Sequence, residues 1–145
     1  MSARSFLDTN ILVYADDGDS PEKQKRAIEV TLEQRAAGTG VLSLQVLQEY
    51  FAITTRKLGT DPDVARRKVE VLALFEVVTP TLDDLLAAID LHRHHRISFW
   101  DALIVRAAQR SACAVLLTED LQDGRVFDGV KVVNPFRGLT EPREA

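Results

Sequence analysis

Residues 5–13 read SFLDTNILV, an apolar run stopped by an acid and followed at once by a second apolar run. The first piece is too short for a helix and reads as a strand that ends at Asp8. An ionised carboxylate in such surroundings is costly unless donors or a cation compensate it. The same arrangement recurs three times further along: VLQEYF around Glu49, ISFWDALI around Asp101 and VLLTED ending at Asp120. All four acids stand where a strand stops or a helix begins. If the fold gathers them, their mutual repulsion has to be relieved by protonation or by a shared cation.

Short apolar runs alternate with amphipathic stretches along the chain. Strands are expected over 5–8, 41–44, 76–78, 115–118 and 131–133. Ser20-Pro21 and Asp61-Pro62 each place a capping residue before a proline suited to a first helical turn. Thr81 with Asp84 has the form of a capping box opening a helix towards His95. Alternating strands and helices predict an α/β fold of layered type with a largely parallel sheet. In such folds ligands bind beyond the carboxyl ends of the strands, where strand order reverses. Asp8 ends the first strand, Asp120 follows the fourth, Glu49 lies one turn into the helix after the second, and Asp101 opens the helix before the fourth. All four can face one end of one sheet. Residues 1–140 are expected to form a single domain, with 141–145 a loose tail.

The 145 residues suffice for one domain with a hydrophobic core, and 46% hydrophobic content fits a globular protein. A net charge of −4 does not advertise nucleic-acid binding, although a local basic patch can act within an acidic protein. The single Cys113 lies in the apolar run SACAVLL and reads as a buried, reduced thiol. No uncharged apolar run approaches membrane-spanning length, and Asp8 interrupts any signal-like segment, so a cytoplasmic location without a membrane is expected.

Each acid also has a purely structural reading. Ser98-Phe99-Trp100-Asp101 resembles a capping box, the same form as Thr81-Leu82-Asp83-Asp84. Asp8 suits an Asx turn, and Asp120 a turn in TEDLQDG. Glu49 is harder to explain in this way, because no residue three or four positions away is a cation. It is the joint placement of the four that favours a site.

Taken together, DTNIL at the start, QEY in the helix after the second strand, FWDALI and LLTEDLQDG resemble the PIN domain, nearest to the VapC-type toxin ribonucleases of bacterial toxin–antitoxin pairs. The likeness runs in order over nearly the full chain. It implies a three-layer α/β/α sandwich around a mainly parallel five-stranded sheet of order 3-2-1-4-5. It also implies a magnesium or manganese site lined by Asp8, Glu49, Asp101 and Asp120. An RNA substrate, a cognate antitoxin that relieves growth inhibition, and a homodimer follow from the same resemblance. Asp123, three residues past Asp120, is an outer candidate.

The chemistry of the donors agrees with that ion. Carboxylate oxygens are hard ligands that suit Mg²⁺ or Mn²⁺, whereas zinc would call for His or Cys in the motifs. Asp8 and Asp101 are expected as the principal ligands, with Glu49 and Asp120 completing the site or orienting water. Thr9, Asn10 and Thr118 are placed either to hydrogen-bond the acids or to shape turns. Positive charge for a substrate could come from Arg56, Lys57, Arg66, Arg67 and Lys68, or from His92-Arg93-His94-His95-Arg96. Both groups also read as solvated helix faces. Trp100 reads as packing at a helix start or as a platform for a base. Three rivals remain. A phosphatase of the haloacid dehalogenase type would need an acid where Asn10 stands. A receiver-type domain would need paired acids after the first strand. A binding module would use the acids only as caps.

Overall fold

Phe6 and Leu7 are wholly excluded from solvent, which marks their strand as one covered on both faces. This strand, β1 (Ser5–Leu7), is the centre of the sheet in a computed structural model that describes residues 3–139. The expected tail, 141–145, lies outside the described residues. The elements that follow are α1 (Thr9–Tyr14), α2 (Pro21–Ala37), β2 (Gly40–Ser43), α3 (Leu44–Lys57) and α4 (Pro62–Leu72). Next come β3 (Glu76–Val78), α5 (Leu82–His95), α6 (Phe99–Arg110), β4 (Val115–Leu117), β5 (Val126–Phe127) and β6 (Val130–Val133).

The sheet order is β3-β2-β1-β4-β6-β5, with every neighbouring pair parallel except β5 and β6. The expected order therefore holds for the five parallel strands, and the layered α/β/α architecture is as expected. One strand more is present. Asp128 and Gly129 both have positive φ, 43° and 88°, and turn the chain tightly from β5 into β6. An Asp-Gly pair is the residue choice that such a two-residue hairpin turn requires, and β5 thereby covers the outer edge of β6.

The strand ends differ from expectation by one residue where a cap takes over. Asp8 and Thr118 lie just past a strand and Ser43 ends β2 one residue earlier than expected; Asp8 and Ser43 cap helices. Short α1, not foreseen as a helix, forms because Asp8 caps it while Ile11 and Leu12 are buried. Leaving β1, the chain crosses to β2 and β3 on one side and to β4 and β6 on the other. The order reverses between β1 and β4, the place where a crevice opens at the strands' carboxyl ends. Among the described residues no helix is long and apolar enough to cross a membrane.

Helix α6, which carries Asp101, packs against β2, β4 and β6 and is locked to α5. Asp84 makes that lock. Its buried carboxylate accepts from Arg106 Nε at 3.0 Å and from Arg110 Nε at 2.8 Å, while completing the capping box with Thr81. Burial alone would raise the Asp84 pKa, but the Thr81 donors, Arg106 and the charge of Arg110 together hold it below the usual value. We expect Asp84→Asn to lower stability in chemical denaturation at pH 7 by about 1–3 kcal/mol, less than for a fully buried ion pair because both arginines reach solvent. The lowered pKa means this contribution is present above pH 3.8 and lost as pH falls further, so the gap between variant and wild type should close in acid.

Candidate metal centre

Asp8 leaves β1 with its backbone N–H donating to the Leu117 carbonyl of β4 at 3.0 Å, so the acid stands at the reversal point itself. Only 5% of it reaches solvent. One carboxylate oxygen accepts from Thr9 N at 2.7 Å and the other from Thr118 Oγ1 at 2.8 Å. Burial pushes its pKa up to about 7; those two donors oppose the rise, and the negative charges of Asp120 and Glu49 add to it.

Oxygens of Asp8, Asp101 and Asp120 all lie within 4.8 Å of one another. The three arrive from β1, α6 and the loop after β4. Asp120 is exposed at the mouth, yet enough protein surrounds its carboxyl for partial burial to raise its pKa, against the opposing effect of Asn10. Asp101 settles part of the capping ambiguity. Its backbone N–H donates to Ser98 Oγ at 3.0 Å, as a cap requires. The return bond from the acid, present in the otherwise similar Thr81–Asp84 box, is not formed. Its carboxylate is left to face the cleft.

Glu49 stands beside this cluster rather than in it. Thr9 Oγ1 donates to Glu49 Oε1 at 2.8 Å, so Thr9 links α1, through its backbone and side chain, to two of the acids. Thr118, fully buried, does the same on the other side: it donates to Asp8 and accepts from Asp120 N at 3.1 Å and from Asn10 Nδ2 at 3.3 Å. Asn10 Oδ1 is buried with no protein partner among the described residues. An orphaned acceptor next to converging carboxylates fits a hydrated hard cation, whose waters donate hydrogen bonds. The donors are all oxygen, so the residues present suit Mg²⁺ or Mn²⁺.

These acids line a cleft of about 310 Å³ whose walls include Tyr14, Gln45, Lys57, Trp100 and Ile104. Of the basic candidates only Lys57 lines it. Lys68 is committed to Asp16 at 2.7 Å, and Arg66 pairs with Glu70 at 3.0 Å. The run from 92 to 96 lies elsewhere: His92 bonds the Ile97 carbonyl, and His95 meets Phe127 edge-on. Asp123 does not line the cleft; its oxygens accept from Asn134 N and Arg137 Nη1, both at 2.8 Å. Trp100 is not packed away; its ring is exposed. The sequence reading missed Glu119, which accepts from the Tyr14 hydroxyl at 2.5 Å and from Lys23 Nζ at 2.9 Å. That pairing ties the loop bearing Asp120 to α1 and α2, and only its adjacency to Asp120 could have hinted at it.

Residues 5–126 match the PIN domain family. No curated protein matches the sequence. Among solved structures, a chain of a toxin–antitoxin complex from Klebsiella pneumoniae superposes with a TM-score of 0.68 at 21% identity, over 90% of this chain and 97% of that one. VapC20 of Mycobacterium tuberculosis, a toxin that cleaves the sarcin–ricin loop, superposes with a TM-score of 0.59 at 20% identity, over 80% and 91%. At these identities the likeness is one of fold.

Three expectations follow. The folded pKa of Asp8 lies above the ordinary 3.8, so metal-free protein should lose stability as pH rises from about 4 to about 7 and level off above. A cation competes for the same site as that proton. The rise in melting temperature on adding Mn²⁺ should therefore be larger at pH 8 than at pH 6 and absent in Asp8→Asn; equal shifts at both pH values would contradict it. Thr118→Val keeps the shape but removes the hydroxyl, and should weaken Mn²⁺ binding about 10–100-fold in a calorimetric titration, with Thr118→Ser restoring it.

Proposed function

The chain belongs to the PIN domain family, and on that premise we propose that it is a Mg²⁺- or Mn²⁺-dependent endoribonuclease, the VapC-type toxin of a toxin–antitoxin pair acting in the cytoplasm. One observation carries the reading: three acids distant in sequence present oxygens within 4.8 Å of one another inside a cleft. Asp8, Asp101 and Asp120 would hold the ion, and Glu49 would complete the site from its Thr9-held position. When bound, such an ion neutralises the charge that builds on a phosphodiester and lowers the pKa of water.

The chain's own residues account for the rest. Thr9 and Thr118 fix the orientation of the Asp8 carboxylate. Glu49, with one oxygen taken by Thr9, retains a second that can accept a proton from water. Lys57 offers a cation to a flanking phosphate at the cleft wall. Use of the acids merely as caps is disfavoured by the missing return bond at Asp101. An antitoxin would block the cleft most directly by presenting an arginine, since a guanidinium pairs with carboxylates through two parallel hydrogen bonds. The reading extends to residues 1–140 as one working domain and to a homodimer.

The decisive measurement incubates the protein and its Asp8→Asn variant with total cellular RNA in Mn²⁺ or in EDTA. We expect a site-specific cut that requires both the metal and Asp8, with at least about 100-fold loss in the variant. Undiminished cleavage by Asp8→Asn would remove the metal-site reading. Lys57→Ala should reduce the slope of log affinity against log salt by roughly 0.7, the value for one phosphate contact on a single strand.

A further inference from the structure

Trp100 precedes Asp101 by one residue in the first turn of α6, and 63% of it is open to solvent. Phe99 meets the indole edge-on, at 5.2 Å between centroids and 65° between planes, so this neighbour does not stack on it. The side chain forms a wall shared by two cavities. One is the acidic cleft; the other, about 180 Å³, is lined by Leu44, Gln45, Gln48, Val78, Pro80 and Leu103 in addition.

The second cavity has the opposite chemistry to the first. Among the described residues its single charged lining residue is Asp84, and that carboxylate is already occupied by Arg106, Arg110 and Thr81. There is no cation to attract a phosphate and no free carboxylate to hold a metal. What it offers is apolar wall, an open indole, and two carboxamides that can each donate and accept. A flat heterocycle with polar edges suits that combination, and proteins recognise unstacked bases through such contacts. Its volume lies below the roughly 300–1,000 Å³ of sites for drug-sized ligands, a scale suited to one ring system rather than a folded partner segment. Gln45 lines both cavities and its Nε2 donates to the Trp100 carbonyl at 3.3 Å, so slot and cleft are built as one unit.

We propose that Trp100 and this neutral slot form a base-binding subsite that takes one unstacked nucleobase beside the phosphodiester lying in the acidic cleft. The inference rests on the ribonuclease reading for the identity of the polymer, and the two can be tested apart. Trp100 is the sole tryptophan of the chain, so its fluorescence reports the slot directly.

The probe is a 12-nucleotide single-stranded RNA of mixed sequence in EDTA, compared with the same strand bearing abasic riboses. We expect saturable quenching by the first and much less by the second, in wild type and in Asp8→Asn alike. With labelled RNA, Trp100→Ala should bind about five- to a hundredfold more weakly and Trp100→Phe within a few-fold of wild type, the melting temperature being unchanged. In Mn²⁺, Trp100→Ala should raise KM more than it lowers kcat. Equal quenching by both strands, or an unchanged KM, would overturn the proposal. So would quenching that follows protein concentration without RNA, which would mean that a second copy covers the ring. If base-dependent quenching occurs while no metal-dependent cleavage does, the subsite stands and the ribonuclease reading falls. Cleavage without base-dependent quenching has the reverse meaning.

Discussion

The structure turns on one buried carboxylate. Asp8 sits at the end of the central strand, where its desolvation raises the pKa to about 7, and the fold answers with two donors that come from different places. Thr9 supplies its backbone N–H because α1 begins there. Thr118 supplies its hydroxyl because β4 pairs with β1 in a register that sets Leu7 opposite Leu117. A slip of that register by one residue would turn the Thr118 side chain to the other face and leave Asp8 half uncompensated. Strand pairing and site geometry are therefore a single constraint. The cost of burying the acid is tolerated because it fixes where the other oxygens must converge.

The three remaining acids are positioned by different means, and their surroundings give them different roles. Asp101 depends on α6, which is held by Asp84 against α5 and by its own apolar face against the sheet. Asp120 depends on a loop tied at one end by Glu119 to Tyr14 and Lys23, and at the other by Asp123 to Arg137. Glu49 depends on Thr9. Asp101 and Asp120 each have a neighbouring hydroxyl that fixes the backbone, while Glu49 is held through one carboxylate oxygen and keeps the other uncommitted. Asp84 shows the contrast: it carries the same carboxylate and is more buried than Asp101, but both of its oxygens are paired, so it has nothing left to offer a ligand.

This contrast also explains which parts could be read from the chain alone. Periodicity placed the five parallel strands and the main helices, because burial on both faces of a parallel sheet demands uninterrupted apolar runs. Helix α1 escaped notice because six residues carry too little periodicity, and β5 because a two-residue strand is defined by its Asp128-Gly129 turn rather than by its own pattern. The neighbourhood of the acids was legible as strand ends and helix starts. Whether Ser98–Asp101 was a closed box, like Thr81–Asp84, was not: the two motifs have one form, and only the missing return bond separates them. The basic candidates other than Lys57 do not line the cleft, for a related reason. Lys68 and Arg66 have partners brought to them by folding or by the helix surface, and sequence shows the charge without showing what it meets.

A cleft built this way has an electrostatic difficulty with any phosphate polymer. Among the described residues five carboxylates line it, those of Asp8, Asp17, Glu49, Asp101 and Asp120, Lys57 is the one basic lining side chain, and the chain as a whole carries a net charge of −4. A single divalent cation would offset two of those five carboxylate charges if all were ionised, and Asp8 itself resists ionisation chiefly through burial, with a smaller contribution from Asp120 and Glu49. Long-range attraction, which supplies most non-specific affinity in basic nucleic-acid binders, is therefore weak here. On the ribonuclease reading, contacts insensitive to charge gain weight, and the ring of Trp100 beside a neutral slot is where this fold offers them. On the proposed reading, the exposed aromatic next to the acids would give the site a hold on the bases that does not depend on the balance of charge in the cleft.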